Sequence, residues 1–221
     1  GLPLTAISII GAYTDLRTAI VFIAIPVVVT NLYQAFQGGR TGEMLRKYWL
    51  INLFSVIGTV VGAQILFIVD PLILTTALGV VVVIYVLINV TQFRISISDR
   101  ANPWVVPPLG LLSGLLTGTT GSVGIPIALY LQARDTDKES FLRAIALTFL
   151  ISASFLVVAL AERNAFTQQD LVVSAISLVP AFLGMAIGQK LRGHLSEDRF
   201  RHFVYLFLLL AAANLIRKGL F

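Results

Sequence analysis

The stretch Gly110 to Tyr130, G-L-L-S-G-L-L-T-G-T-T-G-S-V-G-I-P-I-A-L-Y, constrains this chain more than any other. It starts as an apolar helix with a small residue at every fourth position, Gly110, Gly114 and Gly118. It then breaks at Gly118-Thr-Thr-Gly121-Ser-Val-Gly124 and restarts behind Pro126. A helix that breaks inside an apolar run cannot face lipid, because its freed N–H and C=O groups would lack partners. Such a break is tolerated only where protein buries it or where it lines a cavity. In many carriers that cavity is the substrate site, with half-helix N-termini pointing at an anion.

The setting of this break is a membrane. Of 221 residues 57% are hydrophobic and only 12% charged, with a mean hydropathy of +0.90. A soluble domain carries about 25% charged residues, and the apolar blocks here are long enough to cross a bilayer, about 20 residues each. The net charge of +5 does not indicate nucleic acid, since the basic residues cluster in short loops as cytoplasmic loops do. No cysteine is present, which excludes disulfides and thiolate chemistry. The chain opens on Gly-Leu-Pro, and a segment is expected to precede it.

Residues 1–11 form a short apolar piece, about half a span at 1.5 Å per residue. A full span is expected over Leu16–Phe36, then a polar loop, Gln37–Lys47, with Arg40, Glu43, Arg46 and Lys47. Trp49–Val69 and Leu72–Val90 are two further spans, joined at Asp70-Pro71. Arg94–Pro103 reads as a linker. After the broken stretch come a charged loop, Arg134–Glu139, and spans near Phe141–Ala161, Leu171–Gln189 and Phe203–Ile216.

The two halves read as copies. Gly1-Leu-Pro3 matches Gly124-Ile-Pro126, and Leu16-Arg17-Thr-Ala-Ile matches Leu142-Arg143-Ala-Ile-Ala. Gly58-x-x-x-Gly62 matches Gly184-x-x-x-Gly188 at the same offset, and Asn89 and Asn214 fall near the ends of the last spans. Four matches in one order point to duplication, with 1–93 as a first repeat, 94–103 as linker and 104–221 as a second. The first repeat then lacks the glycine-rich half-helix that would precede Gly1.

Basic residues decide between parallel and inverted copies. If Pro108–Gln132 crosses the membrane, each side holds eight Lys and Arg. If it dips in and returns, one side holds twelve and the other only Arg17, Arg163, Arg217 and Lys218. Positive-inside bias favours the second. Leu109–Gly118 and Gly124–Ala133, ten residues each, would then each reach about 15 Å into a roughly 30 Å core. The expectation is an all-α polytopic membrane protein of two inverted-topology repeats, each a re-entrant broken helix plus three transmembrane helices.

Several residues are candidates for an anion site. Proline suits a helix's first turn, whose other N–H groups are free and, with the helix dipole, attract an anion. The candidates at the break are Gly118, Thr119, Thr120, Gly121, Ser122, Gly124 and Pro126, with the Thr117 hydroxyl nearby. The symmetric partner is Gly1, Pro3 and Thr5. Arg17 and Arg143 open equivalent spans and either snorkel to the interface or recruit oxyanions. Gly58, Gly62, Gly184 and Gly188 serve close helix packing rather than substrate contact. Asn31, Gln34, Thr148, Ser152 and Ser154 lie within spans and are expected to bond helix backbone.

The aspartates and glutamates sit at span ends or in loops, so no mid-span acid supports proton or sodium coupling. An anion leaving an inside-negative cell needs none, gaining about 2.3 kcal/mol per 100 mV per charge. His194 and His202 lack a metal-ligand spacing, and neither a metal nor a cofactor is expected.

At these residues the chain resembles the sulfite exporter TauE/SafE family, also called TSUP, over almost its whole length. The resemblance rests on the Gly-rich break before a proline (Gly118–Pro126, and Gly1–Pro3), the openings at Arg17 and Arg143, the basic loop and the Gly-x-x-x-Gly spans. The break G-T-T-G-S-V-G is less glycine-dense than in many members. The resemblance implies a permease of bacterial or archaeal inner membranes moving sulfite, organosulfonates or related anions, mostly outward. The partners implied are a small anion and the lipid bilayer. Two other classes stay open. A non-transporting assembly or sensor subunit would show a bundle without a central polar cavity. An integral-membrane lipid enzyme would need a nucleophile with its base, or a metal cluster.

Overall fold

The computed structural model describes residues 2–37, 39, 41–91, 102–121, 125–134, 138–194 and 197–220. Among these the regular structure is helical: α1 (Leu2–Tyr13), α2 (Leu16–Phe36), α3 (Thr41–Lys47), α4 (Trp49–Ile68) and α5 (Pro71–Val90), then α6 (Asn102–Thr120), α7 (Ile125–Ala133), α8 (Lys138–Glu162), α9 (Gln168–His194) and α10 (Glu197–Leu220). Helices α2, α4, α5, α8 and α9 contain stretches long and apolar enough to cross a membrane.

Contacts and connectivity fix the direction of every helix but α3. Let the near end be the one where α4 begins. Gly110 lies against Ile51, Gly114 against Ser55 and Gly118 against Thr59 and Gly62, so α6 runs parallel to α4. Thr148 bonds Asn52, Ser152 bonds Ser55 and Arg163 bonds Gln64, so α8 also runs parallel to α4. Helices α6 and α8 both point away from the near end, so α7 must run back between them. Its Ile127, Tyr130 and Leu131 accordingly cluster with Val106, Ile51 and Ala144 near the level where α4 starts.

Helix α2 runs the other way, from Arg17 on the Leu66 carbonyl to Ala35 in the cluster with Tyr48. Helix α9 follows α2, with Ser174 on Val21 and Phe22 and Met185 on Gln34. Helix α5 returns from the far end after Asp70, whose carboxylate accepts the Leu72 N–H at 2.7 Å. Helix α10 is antiparallel to α5, with Gly79 against Ala212 and Ile216, and Gly219 against Leu72 and Thr76. The Lys218 ammonium donates to the carbonyls of Gly11 and Thr14, placing the end of α1 at the far end too.

The glycines of α4 and α6 explain each other. A Cβ on Gly58 would overlap the Leu111 carbonyl, and one on Gly114 or Gly118 would overlap the carbonyl of Ser55 or Thr59. A Cβ on Gly62 would lie 2.5 Å from the Leu115 oxygen. The two backbones touch along about three turns with no side chain between them. In lipid this contact is held by van der Waals packing, because lipid tails are as apolar as leucine.

Pro26 sits inside α2 and lacks the N–H that would bond the Phe22 carbonyl. Ser174, fully buried on α9, donates its hydroxyl to that carbonyl at 3.1 Å. The neighbouring helix thus satisfies the group that proline frees, as an apolar setting requires.

Three elements differ from the sequence reading. The segment before the break is one helix of 19 residues, not ten, and it includes Pro107 and Pro108. These prolines remove helical partners only from the carbonyls of Pro103 and Trp104, at an opening where Trp104 is 83% exposed. The expected polar loop contains α3, whose Glu43 in the first turn and Arg46 and Lys47 in the last suit the helix dipole. Helices α8, α9 and α10 each extend beyond their apolar spans at one or both ends.

Candidate functional site

The break follows Thr120, the last residue of α6. Gly121 adopts φ +65, a left-handed conformation that favours glycine, and its N–H closes the helix on the Thr117 carbonyl at 2.8 Å. A Cβ there would lie 2.9 Å from Ile7 Cδ1 and 3.1 Å from Ile20 Cγ1. The end of α6 is therefore wedged between α1 and α2.

Gly121 and Thr117 face a void between α2 and α8, bounded by Ile20, Ala24, Val27 and Leu156. Its volume is about 10 Å³, close to the smallest space that holds one water. The seam between these antiparallel helices is closed here, and a multi-atom anion fits only if they part. Among the described residues no carboxylate lines the void.

The threonine hydroxyls are engaged. Thr117 Oγ1 donates to the Ser113 carbonyl at 2.8 Å, Thr119 Oγ1 to Leu115 at 2.7 Å and Thr120 Oγ1 to Leu116 at 2.6 Å. Each is a back-bond to the preceding turn, which commits the hydroxyl proton and leaves none for an anion. Among the described residues, the donors left to the break are backbone N–H groups in the first turn of α7, apart from Pro126, which has none. Pro126 is buried, and Gly118 is held against α4.

Ser122, Gly124 and Gly1 lie outside the described residues, as does 94–101 of the expected linker. Pro3 is buried in the first turn of α1, which also contains Thr5. The two arginines are at opposite ends. Arg17 donates to the Leu66 carbonyl at 3.0 Å and sits 4.8 Å from the Phe67 ring centre, while its Nε is buried without a partner. Arg143 pairs with Glu139 at 2.9 Å at the near end. Neither belongs to the void. At Gly184 and Gly188 a Cβ would meet nothing within 4 Å, in contrast to Gly58 and Gly62.

Of the polar residues within spans, Asn31 bonds the Val27 carbonyl and Ser154 the Leu150 carbonyl. Gln34 instead reaches Met185 Sδ at 3.2 Å. Thr148 and Ser152 reach across helices, to Asn52 at 2.7 Å and Ser55 at 2.8 Å. This buried polar ladder joins α4 to α8. Asn52 and Ser55 fall on one helical face three residues apart, a signal the sequence carried among larger apolar neighbours.

Two further groups had escaped sequence reasoning. Ser113, one turn before Thr117, keeps a fully buried hydroxyl without a partner. Arg163 bonds Gln64 and lies 5.6 Å from the same Phe67 ring as Arg17.

Helix α6 ends at Gly121 against a closed seam of antiparallel helices, a helix end buried by protein as an apolar setting requires. The family model for the sulfite exporter TauE/SafE matches residues 1–215. The chain belongs to this family. No curated protein and no solved structure matches it. TauE/SafE proteins are membrane transporters, and this chain is a multi-pass member with helices able to span a bilayer.

Proposed function

We propose that this TauE/SafE protein carries small sulfur-containing anions, sulfite or organosulfonates, outward across a bacterial or archaeal inner membrane. The anion binds at the break between α6 and α7. One observation carries this reading: α6 ends at the buried Gly121, at the closed seam between α2 and α8. On this reading the N–H groups of the first turn of α7, which follows the break, supply the donors for an oxyanion.

The mechanism follows from the same geometry. With about 10 Å³ at the break, binding requires α2 to separate from α8 on one side, and release requires separation on the other. The halves, residues 1–93 and 104–221, act as inverted repeats that rock against each other. This is supported by direction: α1, α2, α4 and α5 run opposite to α7, α8, α9 and α10, respectively. It is also supported by packing, because α2 lies on α9 as α4 lies on α8.

Flux into proteoliposomes tests the reading against sulfite, sulfate, thiosulfate and short sulfonates. Saturable movement of at least one sulfur anion is expected, and Gly121→Val is expected to abolish it while the protein still inserts. Normal flux in that variant, or no sulfur anion moved by correctly inserted protein, would overturn the proposal.

A further inference from the structure

On the outer face at the near end, α3, α4 and α8 border a groove of about 600 Å³. Its walls are the side chains of Leu45, Leu53, Val56 and Ile151. Leu45 and Leu53 are exposed, so the groove opens sideways onto the apolar surface. From Trp49 to Val56 it follows α4 for about 10 Å at 1.5 Å per residue, within the depth of one bilayer leaflet.

Three polar side chains line it: Arg46, Trp49 and Asn52. The Arg46 guanidinium is exposed and has no hydrogen bond or ion pair among the described residues, and the Trp49 indole N–H is likewise unengaged. Asn52 is 5% exposed; its Oδ1 accepts from Thr148, while Nδ2 is buried without a partner. The polar side chains open to the groove, Arg46 and Trp49, are thus donors. Glu43, the carboxylate on α3, does not line the groove.

An occupant must offer several acceptor oxygens and negative charge at the Arg46 end, and a long apolar body along Leu53, Val56 and Ile151. We infer that the groove seats one anionic phospholipid. Its phosphodiester lies at Arg46 and Trp49, and an acyl chain lies along Leu53, Val56 and Ile151. Basic pockets between helices at the membrane surface recognise anionic headgroups in this way, and tryptophan favours that interface. A free inorganic anion would leave the apolar walls uncovered. The inference does not depend on the transport reading.

The test uses purified full-length protein in detergent with phosphatidylglycerol, phosphatidylcholine or inorganic phosphate, read by native mass spectrometry and thermal unfolding. One copy of phosphatidylglycerol is expected to bind and raise the unfolding midpoint. Phosphatidylcholine should bind at least about tenfold more weakly and phosphate should give no shift. Arg46→Gln, at an exposed position that leaves folding intact, should weaken phosphatidylglycerol about fivefold. Trp49→Phe should weaken it too, whereas Arg217→Gln at the far end should not. Equal binding of the two lipids, an Arg46→Gln protein indistinguishable from Arg217→Gln, or a matching shift with phosphate alone would overturn the inference.

Discussion

The same substitution in the two Gly-x-x-x-Gly motifs should give opposite results. In Gly58→Ala the new methyl overlaps the Leu111 carbonyl, lies 2.8 Å from Leu115 N and 3.0 Å from the Gly114 Cα. These are backbone atoms, which cannot move aside as a side chain would. Ordinary contact needs about 3.5 Å, so α4 and α6 must separate by about 1 Å. That shift loosens the approaches at Gly62, Gly110, Gly114 and Gly118 together. Overpacking of a tight core costs about 1–3 kcal/mol, occasionally more, and a clash with backbone belongs at the upper end. At about 2–4 °C per kcal/mol for a chain of this size, Gly58→Ala should lower the unfolding midpoint by about 6–12 °C. In Gly184→Ala the methyl meets nothing within 4 Å, and replacing glycine by alanine in a helix favours folding by up to about 1 kcal/mol. Thermal unfolding of both variants in one detergent decides the matter. Equal destabilisation would refute the reasoning, because it would mean that α9 is covered as closely as α4.

Three smaller predictions follow from single groups. Ser174→Ala leaves the Phe22 carbonyl beside Pro26 without a donor and should cost about 1–3 kcal/mol, read as a lowered midpoint that Ser177→Ala, on a bond within its own helix, does not reproduce. Arg17→Lys cannot both reach the Leu66 carbonyl and lie flat on Phe67, and should cost about 1 kcal/mol; an unchanged midpoint would contradict this. Burial acts to raise the Asp15 pKa, but hydrogen bonds from the Thr18 hydroxyl and N–H, at the N-cap of α2, outweigh it and hold the carboxyl below its usual value. A depressed folded pKa means stability that is present above the ordinary carboxylate range and lost as pH falls through the folded value. Asp15→Asn should flatten that acid limb in pH-dependent unfolding, and an identical limb would count against the cap.

Much of the membrane architecture was legible because apolar blocks of span length can be read directly, and Lys and Arg placement bears on which way segments run. The small residues at 110, 114 and 118 were legible as a packing stripe, but their partner was not. Nothing in the sequence says that Gly58 and Gly62 meet this stripe while Gly184 and Gly188 face open space. The helix start at Asn102 was not legible, because the sequence reads as a linker up to Pro103 and a ten-residue segment from Leu109. The exposed opening of α6 tolerates the backbone bonds that Pro107 and Pro108 remove. The threonines at the break read as free donors, because sequence does not distinguish a hydroxyl turned to a ligand from one bonded to its own helix. Arg17 and Arg143 occupy matching sequence positions yet lie at opposite ends of the molecule, as the opposite directions of α2 and α8 require. Ile7 touches the break only through the fold, and no local pattern announced it.

The account turns on an anion occupying the break between α6 and α7, and the chain contains no cysteine, so one introduced thiol can report on that place alone. Ser122→Cys in proteoliposomes, reacted with a charged thiol reagent, gives a labelling rate with and without a saturating short sulfonate. If the anion sits at the break, the sulfonate should slow labelling at least about tenfold, as expected for occlusion of a bound site at high occupancy. An unchanged rate in vesicles that still carry sulfonate flux would place the anion elsewhere and contradict the account.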